Sequence, residues 1–162
     1  MQTAEKIERT ALRNLIHNED YTRKVLPFLK SEYFQDRSER VVFSEIQKFI
    51  SQYNRRPTKE TLQIDLNKRK DLNEDEYKKI VELISSLDPQ DVDLEWLVNT
   101  TEKFCKDRAV HNAVMEGIHI IDGKDKKHSP EAIPEILRDA LSVSFDNAVG
   151  HDYLLDIEKR FD

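Results

Sequence analysis

Leu94-Glu95-Trp96-Leu97-Val98-Asn99-Thr100-Thr101-Glu102-Lys103-Phe104-Cys105-Lys106-Asp107-Arg108-Ala109-Val110-His111-Asn112-Ala113-Val114-Met115-Glu116-Gly117-Ile118-His119-Ile120-Ile121 reads as one long helix. At ~1.5 Å per residue it would extend roughly 40 Å, further than a small domain needs to close its own core. Cys105, Ala109, Ala113 and Gly117 recur every fourth residue, a ladder of small side chains that admits another helix at close range. Beside it, Leu97, Phe104, His111 and Ile118 form a largely apolar stripe at seven-residue spacing, with Thr101, Arg108 and Met115 between them. Outward from this arm, Asp122 to His128 is a charged turn bearing Gly123, and Ser129 to Phe145 reads as a returning helix. The pair is expected to form an antiparallel helical hairpin. The small ladder is assigned to packing against Ile136, Ala140 and Val143 of the return arm, and Phe104, Arg108, Met115 and Ile118 to contact with a sister chain.

Composition sets the rest of the frame. With 162 residues, three glycines, five prolines, 36% charged and 38% hydrophobic residues, the chain reads as an all-α protein large enough to bury a core. No window approaches the ~20 apolar residues of a membrane span, and Met1 to Lys6 lacks a signal-peptide hydrophobic region, so a cytoplasmic location is expected. The net charge of −6 argues against strong non-specific DNA binding. Basic clusters at Arg55-Arg56, Lys68-Arg69-Lys70 and Lys124 to Lys127 fall at helix ends or turns, where solvated cations are the ordinary outcome.

Five shorter helices are expected ahead of the arm. The first runs from Thr3 or Ala4 to His17, and the second starts at Asn18-Glu19-Asp20 and ends near Pro27. The third covers Arg37 to Tyr53, with Val42, Phe43, Ile46, Phe49 and Ile50 buried, and stops at Asn54-Arg55-Arg56-Pro57. Thr58 caps a fourth, and Asn73 with Glu76 opens a fifth in a capping box. Tyr33, Phe34 and Trp96 are expected to anchor the core. The chain then divides into a globular helical head over 1–90, the hairpin over 91–147, and the start of a linker helix over 148–162.

No catalytic constellation assembles. Glycine at 117, 123 and 150 leaves no phosphate loop of the Walker type, so no cofactor is expected in this chain. His17, His111, His119, His128 and His151 lack metal-ligand spacing, and Cys105 in mid-helix reads as a small buried thiol. The acidic runs near Asp71 and Asp88 sit at helix starts, where they meet free backbone amides, and neither has the order of ligands a calcium loop requires.

Taken in order, Leu15-Ile16, Val25-Leu26-Pro27, Ser31-Glu32-Tyr33-Phe34, Val42-Phe43-Ser44-Glu45-Ile46 and Arg56-Pro57-Thr58 resemble the amino-terminal part of the DnaB-type replicative DNA helicases, most closely those of T4-like bacteriophages. Trp96-Leu97-Val98, Glu102-Lys103-Phe104, Asp107-Arg108-Ala109-Val110, the return arm from Ala132 and the run Val149-Gly150-His151-Asp152-Tyr153 extend that resemblance. It implies a collar domain that pairs through hairpins and heads into a trimer of dimers, giving a hexamer in the parent. It further implies docking of primase, a helicase loader and the single-strand-binding protein, with ATP and Mg held by a motor domain beyond this chain. The last run would open the linker helix, with Tyr153, Leu154, Ile157 and Phe161 docking on a neighbouring subunit. Helicase activity is then expected of the parent, and weak DNA binding with no ATP turnover of this chain. A reading from another class is a freestanding helical phage protein that binds nucleic acid or a regulator. Coding sequence past Asp162 separates the two.

Overall fold

A computed structural model describes residues 5–145. Among them there is no strand, and seven α-helices follow one another: α1 Ile7–His17, α2 Glu19–Val25, α3 Arg37–Tyr53, α4 Lys59–Asn67, α5 Glu74–Ser86, α6 Leu94–Ile121 and α7 Ile133–Leu141. Short 3₁₀ turns at Leu26–Phe28, Ser31–Tyr33 and Pro130–Ala132 link some of them. The all-α class is as the composition required. The chain divides into two compact units, Met1–Thr101 and Glu102–Asp162.

Helix limits in the first unit follow from capping chemistry. Asn18 accepts from the Tyr21 amide at the start of α2, and Asp36 from the Glu39 amide at the start of α3. Thr58 with Thr61, and Asn73 with Glu76, form reciprocal capping boxes at α4 and α5. α3 closes on Asn54 at φ 55°, a left-handed position that asparagine tolerates, whose amide donates to Ile50 O. α1 starts at Ile7 rather than near Thr3, because Lys6 is extended and the preceding Glu5 is drawn to Arg13 and Thr10.

The apolar faces of these helices close one core. Leu12, Leu15, Tyr21, Val25, Phe34, Phe43, Ile46, Leu62, Leu66, Ile80, Ile84 and Leu87 are buried in it. Phe34 and Phe43 stack with ring centroids 5.1 Å apart. The basic clusters at 55–56 and 68–70 contribute ties to this unit. Arg56 donates to Ile16 O at the end of α1 (2.8 Å), and Arg69 reaches both buried Glu45 (3.2 Å) and Asp71 (2.6 Å). Side chains of α1 also hold the end of α5 and the residues that follow it. Arg13 donates to Ser86 O (3.2 Å) and Asp88 O (2.6 Å), and His17 Nε2–H donates to Leu87 O (2.6 Å). The start of α6 is fastened by Tyr21, whose hydroxyl lies 2.8 Å from Thr101 Oγ1 in a buried pair. Since Thr101 donates to Leu97 O, the Tyr21 hydroxyl supplies the proton between them.

Tyr33 and Phe34 are buried as expected, but Trp96 is 55% exposed and is not a core anchor. It lies in the first turn of α6, where its amide donates to the Asp93 carboxylate, and the next residue, Leu97, takes the buried position.

In the second unit the return arm differs from the continuous helix expected over Ser129–Phe145. It opens as the 3₁₀ turn Pro130–Ala132 and becomes α-helical over Ile133–Leu141. Pro134 has no amide to donate back to Pro130, which keeps the first turn tight. At the other end Ser142 hydrogen-bonds Asp139 O through its side chain (2.7 Å), and this local bond competes with continuation of the helix. The residues beyond then meet α6: the Phe145 amide (2.7 Å) and the Ser144 hydroxyl (3.4 Å) both donate to Glu102. No helix among the described residues is long and apolar enough to cross a membrane.

Candidate interaction surface

α6 has apolar residues on two sides. Cys105, Ala109, Ala113 and Gly117 are buried, and a β-carbon built on Gly117 would lie 3.6 Å from Ile133 Cγ2 of α7. Of their expected partners on the return arm, Ala140 is buried, and Ile136 and Val143 are half-buried. Burial pushes the Cys105 thiol up to about 12, with the Glu102 charge adding to the effect, so it carries no thiolate at neutral pH.

The four residues assigned to a sister chain split into two kinds. Phe104 is buried, and Arg108 is half-buried with its guanidinium donating to Asn112 (3.4 Å). Met115 and Ile118 stand 40% and 43% exposed. Two residues outside the sequence assignment join them: Val114 is 46% exposed and Ile121 70%. The spacing Val114, Ile118, Ile121 is the i, i+4, i+7 pattern that could have marked them, with Met115 beside Ile118 at i+3. The seven-residue stripe that starts at Leu97 meets this face only at Ile118 and passes over Val114 and Ile121. Leu141 of α7 adds a further exposed apolar side chain. Contiguous exposed apolar residues on one helix face mark a surface suited to association.

Two clefts in the first unit carry charged side chains. A cleft of about 520 Å³ in the first unit is lined by Asn14, His17, Glu19, Asp20, Gln90 and Asp91 among others. A smaller one, about 390 Å³, has Arg55, Arg56 and Lys59 facing Ile16 and Glu19. In the latter, Arg56 and Lys59 are engaged by Ile16 O and by Asp88 and Ser85 O, while Arg55 lies over the Tyr53 ring, 5.6 Å from its centroid. Neither cleft groups a nucleophile with a base and an orienting partner. The residues assigned to linker docking, Tyr153, Leu154, Ile157 and Phe161, lie outside the described residues.

No protein-family model matches the chain. Over 158 residues, 93% of its length, the chain is 37% identical to the "DnaB-like replicative helicase" of Enterobacteria phage T4. It spans 33% of that protein's length. The likeness to the DnaB-type replicative helicases carried by the sequence thus holds over nearly the whole chain.

Proposed function

We propose that this helicase-related chain is the amino-terminal collar region of a hexameric replicative DNA helicase, made of a helical head (1–90), a hairpin (91–147) and the start of a linker (148–162). Its role is assembly. Two chains pair through the exposed face of α6, and three such pairs build the ring. Primase, the helicase loader and the single-strand-binding protein dock on the collar, and DNA is handled by the assembled parent. With glycine at 117, 123 and 150 this chain does not fit nucleotide phosphates, so ATP and Mg belong to the motor in the rest of the parent. On this reading the protein works in the cytoplasm of a phage-infected bacterial host.

The observation that carries the proposal is the unsatisfied apolar face of Val114, Met115, Ile118 and Ile121 on a helix whose small-residue face is already buried. A helix of one chain needs one buried face, and a second apolar face fits a second chain. Sedimentation equilibrium tests this. The unsubstituted chain should dimerise, and Met115→Asp, which places a charge in the centre of the face without touching the buried ladder, should shift it to monomer at unchanged helicity. A folded Met115→Asp variant as dimeric as the parent would move assembly from the hairpin to the head.

A further inference from the structure

Where α6 gives way to the turn, Glu116, Asp125 and His128 bring three donor atoms within 4.8 Å of one another. His128 Nδ1 is 3.1 Å from Asp125 Oδ2 and 4.0 Å from Glu116 Oε1. Two donors bound to one first-row divalent ion at about 2.0–2.2 Å lie about 3.0–3.5 Å apart. The Asp125–His128 pair is therefore at bite distance, and the Glu116 carboxylate, 4.0 Å from His128 Nδ1 and within 4.8 Å of Asp125, needs to move in toward both. The turn fixes which oxygen is offered. Asp125 Oδ1 accepts the amides of Lys127 (2.8 Å) and His128 (3.3 Å), which leaves Oδ2 for the imidazole.

We infer that Glu116, Asp125 and His128 form a binding site for a first-row divalent transition metal, with Zn²⁺ the best-suited ion. One imidazole and two carboxylates are the donor set of such ions, whereas Mg²⁺ and Ca²⁺ select oxygen donors and would leave His128 unused. Metal capture replaces the proton that His128 Nδ1 now shares with Asp125, so the ring switches to its Nε2–H tautomer. Three protein donors leave further positions to solvent. The site lies wholly within the second unit and does not depend on the collar reading. A bound ion would lock the turn at residues 122–128 onto the end of α6.

The test is titration of the tag-free chain with ZnCl₂ alone, followed by calorimetry and by the imidazole nitrogen resonances of the five histidines. One ion per chain is expected, with the coordination shift confined to His128 Nδ1. His128→Ala, and separately Asp125→Asn, which keeps the oxygen that caps the turn, should each weaken binding tenfold or more. Glu116→Gln should do likewise at unchanged helicity. Absence of stoichiometric binding, a His128→Ala variant that binds as the parent does, a shift at another histidine, or a site that takes Mg²⁺ in preference to Zn²⁺ would each overturn the inference.

Discussion

Gly117→Ala is the substitution on which the packing argument of α6 turns. Glycine in a small-residue ladder invites the reading that backbones touch there, yet a β-carbon at 117 would lie 3.6 Å from Ile133 Cγ2, an ordinary van der Waals separation. Space for a methyl group is present. Alanine then removes the helix-interior glycine penalty of about 0.5–1 kcal/mol. Burying one methyl against Ile133 adds a contribution in the same direction, of at most about 0.8 kcal/mol. The expected result is a gain of about 0.5–1.5 kcal/mol, or about 2–4 °C in melting temperature per kcal/mol for a chain of this size. Thermal melts and urea titrations at two protein concentrations twentyfold apart separate folding from association. An equal gain at both concentrations supports the intramolecular contact. A loss of 1 kcal/mol or more, or a variant whose melting loses the parent's concentration dependence, would show that Gly117 faces a sister chain and that the ladder has been assigned to the wrong partner.

Ala113→Leu should act in the opposite sense, because three added carbon atoms in a buried slot cost about 1–3 kcal/mol and lower the melting temperature. Glu39 provides a pH test. Burial, reinforced by the charges of Asp36 and Glu8, raises its carboxyl from 4.5 to about 6. Its folded pKa is the higher one, so the stability it contributes is full below about pH 4.5 and is lost as the pH rises through about 6. Glu39→Gln should therefore leave stability unchanged near pH 4 and raise it by roughly 1 kcal/mol at pH 7.5 after allowance for its partial exposure, in paired denaturation curves. Thr58→Ala removes the cap of α4 and should cost about 1 kcal/mol in the same assay.

The elements most legible in the sequence were those whose signals are local. Thr58, and Asn73 with Glu76, announce helix starts through bonds to residues three positions away, and the structure places those bonds as expected, while α3 ends at Asn54 where the sequence marks its stop. The apolar spacing of α3 and the extent of α6 were legible for the same reason. What sequence could not give was the direction in which a given apolar residue faces. Trp96 reads as core and is exposed, while Phe104 reads as a contact for a sister chain and is buried within its own chain. Both lie on α6, whose apolar residues occupy two sides, so periodicity alone does not say which side meets the chain's own core. The site at Glu116, Asp125 and His128 was illegible because its spacings, nine residues and then three, match no regular metal motif, and the turn alone brings them together.

The hold of Arg13 and His17 on the carbonyls of Ser86, Leu87 and Asp88 bears on how the protein is made. These partners are separated by 70 to 75 positions along the chain. At a synthesis rate of about 5–20 residues per second, α1 emerges roughly 4–15 s before the segment it must hold. Through that interval Arg13 and His17 lack their carbonyl acceptors. The head consequently cannot complete itself from its amino terminus as it leaves the ribosome. The ties of its first helix come late, which makes the nascent chain a candidate for chaperone holding at a stage when helices α1 to α4 already exist.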